Sequence, residues 1–239
     1  MIGKKIYRFT EIDSTQDFAK EIADEAEEGT IIIAEVQKKG RGRLNRVWFS
    51  PPGGVYLSVI LKPPLSQNFF PPISLLASIA VAKAIKKLGL NPSLKWPNDV
   101  LLNGKKVAGI LTETNSKWKA VILGIGINAN LDIETFPEEL RETTSIKKEL
   151  QKEIVIDNFI KDLEYELNQV YFLFIESRLA YILKEWKSFS QMFNRRIEVR
   201  TPTEVIEGKA VDLDEDGALL IEMSDGSLRK IIAGNVKIL

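Results

Sequence analysis

Lys95-Trp96-Pro97-Asn98-Asp99-Val100-Leu101-Leu102-Asn103-Gly104-Lys105-Lys106-Val107-Ala108-Gly109-Ile110-Leu111 is the stretch that decides the architecture. Asn103-Gly104 suits a two-residue turn, because both positions tolerate φ > 0, and such a turn joins antiparallel strands. The pentapeptide Lys95 to Asp99 therefore enters a hairpin running from Val100 to Thr114. A hairpin in the middle of a chain that intermixes strands and helices breaks a strict βαβ rhythm, so the reading is α+β on a mixed sheet rather than a doubly wound fold. Side chains alternate across a strand, so Lys105 and Lys106 face opposite ways, and spacing alone leaves open which one reaches a given pocket.

Towards the N-terminus, a helix is expected to begin near Pro71-Pro72 and to end at Gly89, where glycine suits the position just past a helix. Its alanines and serines from Ser74 to Ala84 permit close packing on a sheet. Gly53-Gly54 turns the chain into a strand from Val55 to Lys62, and another strand is expected from Thr30 to Val36. A first strand, Lys5 to Phe9, leads to a helix capped by Ser14, with Asp17 placed to close a capping box and Phe18, Ile22 and Ala26 on one face. Towards the C-terminus, Ala120 to Asn130 reads as a strand. Its Gly124 and Gly126 signal either close approach of a ligand or backbone, or a bulged core strand. A helical stretch spans Ile156 to Phe189, with Ile156, Ile160, Leu163, Leu167, Val170 and Phe174 on one face and a break near Ser177. From Arg195 the pattern becomes short strands punctuated by Asp216-Gly217, Asp225-Gly226 and Gly234-Asn235, as in a small antiparallel barrel. Two domains are expected, 1–188 and 189–239.

Between the strands ending at Val36 and beginning at Val55 lies a run of twelve residues, Gln37 to Trp48, with three arginines, two glycines and no acid. Glycine lets backbone N–H groups approach a ligand, and guanidinium forks match phosphate or carboxylate oxygens. The same run could be a solvated basic loop or a nucleic-acid patch. The 33 basic and 33 acidic side chains leave no net charge, which argues against broad polyanion binding and for a local role of Arg41, Arg43 and Arg46. There is no cysteine and no histidine. Disulfides, thiolate or imidazole metal sites, cysteine nucleophiles and Ser-His-Asp triads are thereby excluded. What remains is carboxylates, lysines, arginines and backbone donors, an inventory suited to chemistry in which the substrate supplies the nucleophile. No apolar run approaches the roughly 18 residues that span a bilayer, and no signal core opens the chain, so a cytoplasmic location is expected.

In order along the chain, Glu11-Ile12-Asp13-Ser14-Thr15-Gln16, Gln37 to Trp48, Gly53 to Ser58, Lys95 to Asp99, Lys106-Val107-Ala108-Gly109-Ile110-Leu111, Gly124 to Asn128 and Thr144-Ser145 resemble the biotin protein ligases, also called biotin–[acetyl-CoA-carboxylase] ligases. Gly208-Lys209-Ala210, Asp212-Leu213-Asp214, Asp216-Gly217 and Ala233-Gly234 are similar to the family's SH3-like C-terminal barrel. The family usually has glycine where this chain has Asn45. Asparagine tolerates a left-handed backbone, so the loop is expected to close normally. The likeness begins at residue 1 with no winged-helix segment ahead of it, which implies a short form that does not bind DNA.

The resemblance implies activation of biotin with MgATP to biotinyl-5′-adenylate, followed by transfer to a lysine of a biotin carboxyl carrier protein. It implies that Ser14, Thr15, Gln16 and Gln37 line the biotin head-group pocket, that Arg41, Gly42 and Arg43 wrap the valeryl chain and phosphates, and that Trp48 packs over the biotin tail, with Gly109 beside it. Lys106 matches the family lysine that bridges the biotin carboxylate and the α-phosphate, and with Arg43 it makes the implied catalytic pair. Arg43, Arg46, Lys106, Asn128, Thr144 and Ser145 are the implied ATP contacts. Asp99 is a candidate for Mg2+ or for handling the carrier lysine, or is simply a turn residue. A homodimer is the expected assembly. Two other readings stay open at this level. One is a lipoate-protein ligase using the same acyl-adenylate route, against which stand the arginine-rich loop and Lys95 to Asp99. The other is a nucleic-acid-binding module, against which stand the zero net charge and the scarcity of aromatics among the basic residues.

Overall fold

The computed structural model describes residues 1–63, 72–115, 120–140 and 142–239. Seven strands form one mixed sheet: β1 (Ile6–Ile12), β2 (Ile31–Gln37), β3 (Val55–Leu61), β4 (Pro92–Lys95), β5 (Asp99–Leu102), β6 (Lys105–Thr114) and β7 (Val121–Ile127). Their order is β1-β2-β3-β7-β6-β5-β4. Among the described strands of this sheet, β1 and β2 pair in parallel and the other ladders are antiparallel. Asn103 and Gly104 both take positive φ, 49° and 77°, so the hairpin turn is of the expected kind.

Period-two alternation sends the two faces of this sheet to different neighbours. Val55, Leu57, Val59 and Leu61 of β3 and Val121, Leu123, Ile125 and Ile127 of β7 enter the large core. That face is covered by α2 (Pro72–Lys87), backed by α4 (Ile156–Ile175) and α5 (Leu179–Phe189). Thirteen of the 16 residues of α2 are buried, so it is a core helix rather than an amphipathic one. Pro71, named with Pro72 as its expected start, lies outside the described residues. Ser177 takes φ 57° between α4 and α5, where the break was expected.

On the opposite face, α1 (Thr15–Ile22) covers a small cluster of Ala19, Ala23, Ile32, Ile60 and Ile122. Ser14 caps α1 by accepting from the Asp17 N–H at 3.2 Å. The Asp17 carboxylate does not close the capping box. It pairs with Arg41 at 2.7 Å. With only eight residues, α1 shields part of its face and leaves the rest open.

The C-terminal strands β8 (Arg196–Arg200), β9 (Val205–Leu213), β10 (Leu219–Glu222), β11 (Leu228–Ile231) and β12 (Asn235–Ile238) form an antiparallel sheet in the order β11-β10-β9-β8-β12. Among the described residues no ladder joins β11 to β12. Ile197, Val199, Leu219 and Ile221 are continuous with the main core, and Trp96 Nε1 donates to the Gly217 carbonyl at 3.1 Å. Among the described residues no helix is long and apolar enough to cross a membrane.

Candidate active site

The uncovered part of the α1 face is the floor of a cavity of about 800 Å³. Gly109 of β6 and Gly126 of β7 sit opposite each other in the ladder, and Gly124 lies opposite Leu111. A Cβ on Gly126 would lie 2.5 Å from the Trp48 ring, one on Gly109 2.9 Å from it, and one on Gly124 2.5 Å from Gln16 Oε1. The glycines therefore leave space for the Trp48 and Gln16 side chains to approach the sheet, and the β7 ladders run without a register shift, so the bulged-strand reading does not hold.

One end of the cavity is neutral and polar. Gln37 Oε1 accepts from the Thr15 N–H at 2.9 Å and from Thr15 Oγ1 at 3.0 Å. Thr15 Oγ1 lies 2.9 Å from Ser58 Oγ, which donates to Gln16 Oε1 at 3.0 Å. Gln16 Nε2 donates to the Ile122 carbonyl and Gln37 Nε2 to Ser50 Oγ. This fixed set of amide and hydroxyl groups can present both donors and acceptors to a neutral polar ring. Ser14 itself is buried at the cap of α1 and does not line the cavity.

The other end is cationic. The basic loop is pinned by Gly42 N–H to the Arg46 carbonyl at 2.7 Å and Trp48 N–H to the Gly40 carbonyl at 2.9 Å. Its left-handed residue is Leu44, at φ 55°, one position before the asparagine expected to take that role. Arg41 is clamped by Asp17 and Glu113 at 2.7 and 2.8 Å. Arg43 Nη1 donates to Asn98 Oδ1 at 2.9 Å. Burial pushes the Arg43 guanidinium below its ordinary pKa, with Asp99 opposing and Arg46 adding to the shift. It stays charged at any ordinary pH. Arg41 Nε and Trp48 Nε1 are buried donors with no partner among the described residues, and both residues line the cavity.

Lys106 Nζ lies 2.5 Å from Asp99 Oδ1 and 5.3 Å from the centre of the Trp48 ring. A bulge puts it there. The β5–β6 register shifts by one residue between Val100 and Leu101, and Val107 and Ala108 are consecutive yet both enter the core. Strict alternation counted back from Gly109 would have brought Lys105 to the cavity face. The extra residue brings Lys106 instead. The expectation that only one lysine touches the cavity needs correction, since Lys105 also borders it, from an exposed position at the hairpin end. Asp99 is held between Lys106 and Lys95, the latter at 3.4 Å, and two ammonium groups at one carboxylate disfavour a cation there. No group of three or more acidic side chains gathers to hold a metal among the described residues.

Asn128, Thr144 and Ser145 do not line the cavity and lie behind its wall. Asn128 Nδ2 donates to the Thr144 carbonyl, the Asn128 N–H to the Val107 carbonyl, and the Thr144 N–H to the Lys106 carbonyl. Ser145 caps α3 (Ile146–Leu150) and donates to the Leu131 carbonyl. Together they brace the bulged segment, and Glu142 and Thr143 face the cavity in their place. Sequence reasoning gave no role to Ser58, Asn98, Lys95 or Asn235, which all border the cavity. Ser58 had a signal, the one small polar side chain in a buried strand whose other residues are aliphatic or aromatic. Asn235 had none, because it comes from the C-terminal sheet.

The Biotin/lipoate A/B protein ligase family matches residues 8–130, and the biotin protein ligase C-terminal domain matches residues 192–238. The bifunctional ligase/repressor BirA of Bacillus subtilis is 34% identical over 245 aligned positions, covering 100% of this chain and 75% of that protein. The chain belongs to the biotin protein ligase family. The biotin–[acetyl-CoA-carboxylase] ligase of Mycobacterium tuberculosis is 28% identical, covering 87% of this chain and 79% of that protein. The biotin protein ligase of Aquifex aeolicus, solved with biotin and ATP, superposes with a TM-score of 0.88 at 30% identity, covering 99% of each chain.

Proposed function

We infer that the chain is an ATP-dependent biotin protein ligase that works in two steps in this one cavity. A biotin carboxylate oxygen attacks the α-phosphorus of MgATP, the bond to the β-phosphate oxygen breaks, and pyrophosphate leaves. The deprotonated amine of a carrier lysine then attacks the acyl carbon of biotinyl-5′-adenylate, and AMP leaves. Substrates supply both nucleophiles, in keeping with a chain that has no cysteine or histidine. The protein positions reactants and offsets negative charge.

One observation carries the reading: a neutral polar end and a cationic end share a continuous cavity floored by glycine. Thr15, Gln16 and Gln37, with Ser58, take the ureido ring, and Ser14 acts by capping α1 beneath them. The acyl chain runs over Gly109 and Gly126 under Trp48, with Arg41 and Gly42 closing the loop. Lys106 spans the carboxylate and the α-phosphate, a task suited to a compact ammonium that can follow charge as it moves. Arg43 and Arg46 hold phosphate oxygens. Asn128, Thr144 and Ser145 serve the nucleotide by bracing the wall beside it. Mg2+ enters with the nucleotide, as expected of an ion that keeps its waters and substrate phosphates. The acceptor is the lysine of a biotin carboxyl carrier protein. We assign catalytic and C-terminal domains to 1–188 and 189–239, a homodimeric assembly without DNA binding, and a cytoplasmic location.

The test is exchange of labelled pyrophosphate into ATP, which should require biotin, followed by the mass of a biotin carrier domain after incubation with the protein, biotin and MgATP. Exchange supported equally by lipoate, or no mass gain on the carrier, would overturn the assignment.

A further inference from the structure

The three loop arginines are held in different ways. Arg41 sits between two carboxylates, those of Asp17 and Glu113, so its charge is compensated within the protein. Arg46 is exposed. Arg43 is half-buried and oriented, yet the atoms that accept its hydrogen bonds are neutral: Asn98 Oδ1 at 2.9 Å and, at the 3.5 Å limit, the Gly234 carbonyl of the C-terminal sheet. The carboxylate that follows Asn98 in sequence, Asp99, is engaged by Lys106 and Lys95.

Asn98 is itself rigid. Its Nδ2 donates to the Ile110 carbonyl at 2.7 Å, and its own carbonyl accepts from the Ile110 N–H at 3.0 Å. With Nδ2 committed to donating, the amide can turn only Oδ1 towards Arg43. A carboxylate at this position could not donate to Ile110 and would cancel the charge of the guanidinium it orients. An amide does both jobs without that cost. Neutral acceptors thus leave Arg43 preorganised without a carboxylate of its own, since Asp99, whose charge acts on it, is shared with Lys106 and Lys95; a buried cation so placed attracts an anion strongly.

We propose that Asn98 is the positioning residue for Arg43: it fixes the guanidinium in the cavity wall with a neutral oxygen, so that the full charge is kept for the phosphate of the acyl adenylate. The proposal rests on the reading that Arg43 holds that phosphate, and the experiment separates the two. Adenylate is formed from biotin and MgATP on the intact protein, excess reactants are removed, and its release is timed for wild type, R43A, N98A, N98D and the double variant R43A/N98A, with thermal melts alongside. Release from R43A at the wild-type rate would sink the reading of Arg43. If R43A does release faster, N98A should release about tenfold faster than wild type, and the double variant no faster than R43A alone. The lost Ile110 contact occurs in both backgrounds and cancels in such a cycle, so a merely structural role would give additive effects. N98D should also release faster, despite offering a stronger acceptor. Additive losses, or wild-type retention by N98A, would overturn the positioning role, and wild-type retention by N98D would overturn the requirement for neutrality. If N98A does not fold, N98S carries the same cycle.

Discussion

The two faces of β7 differ in what their residues are for. Leu123, Ile125 and Ile127 point into the continuous apolar core that also holds the buried residues of α2. Ile122, Gly124 and Gly126 point the other way, and only Ile122 is covered by α1, while the glycines floor the cavity. One seven-residue strand therefore stabilises the fold with its odd-numbered residues and makes room for chemistry with its even-numbered ones. Stability and function should separate by residue parity, and substitutions can break or sharpen that separation.

The largest expected effect is on the cavity face. Lys106→Ala removes the ammonium that we propose follows charge during adenylation, and should lower biotin-dependent pyrophosphate release by two to three orders of magnitude, roughly 2.7 to 4 kcal/mol. Its thermal midpoint should stay near that of the wild type, because Lys106 is half-exposed and its loss empties no core. A large fall in the midpoint would mean that the bulged segment depends on the lysine for folding.

On the core face, Leu123→Ala should cost roughly 3 kcal/mol of stability, since a fully buried leucine leaves a cavity that its neighbours fill only in part. For a chain of this length that is a drop of about 6 to 12 °C in the melting midpoint. Its KM for biotin should be unchanged. Gly126→Ala, three residues on and on the other face, should do the reverse: its Cβ meets the Trp48 ring at 2.5 Å, so biotin affinity falls while the midpoint shifts by less. If the two variants behave alike, the faces are not independent.

Much of this division was legible in the sequence. Alternation, the Asn103-Gly104 turn, the break near Ser177 and the glycines of β7 are local signals, and local chemistry fixed them. The polar end of the site was legible for the same reason, as Thr15 and Gln16 follow a recognisable cap. What was not legible depends on distant partners. The bulge at Val107 and Ala108 looks like any apolar pair until β5 lies beside it. Buried hydrogen bonds hold Asn128 and Thr144 behind the wall, and nothing in their identity says whether the amide and hydroxyl face ligand or backbone. The Gly234 carbonyl reaches Arg43 across 191 residues of chain.

The cavity face also depends on the C-terminal sheet, which supplies Asn235 to its lining and the Gly234 carbonyl to Arg43. Asp214 organises a turn there, accepting from the N–H groups of Asp216 at 3.0 Å and Ala218 at 2.8 Å and pairing with Lys230. Burial opposes ionisation of Asp214, but Lys230 and those two N–H groups outweigh it and hold the carboxyl below its ordinary pKa. A depressed carboxyl pKa contributes stability that is present above the unfolded value and is lost as pH falls through the folded one. Acid should therefore loosen this turn before it affects the neutral glycine floor. Asp214→Ala should cost about 1 to 2 kcal/mol and flatten the acid limb of a stability profile, measured by denaturant unfolding below pH 5. An unchanged acid limb would remove Asp214 from the account.

The smallest expected effect tests the phase of β6. Lys105 is exposed, neighbours the hairpin turn and touches only the rim of the cavity. Lys105→Ala should alter both stability and pyrophosphate release within about 0.5 kcal/mol, the usual range for a surface substitution away from a structural feature. The near-silence is informative because an unbulged strand would reverse the two lysines: counted in twos from Gly109, the cavity residue would be Lys105. A Lys105→Ala loss equal to or larger than that of Lys106→Ala would therefore mean that the bulge between the β5 pairing partners is absent in solution. The parity argument would then fail on β6 even if it held on β7.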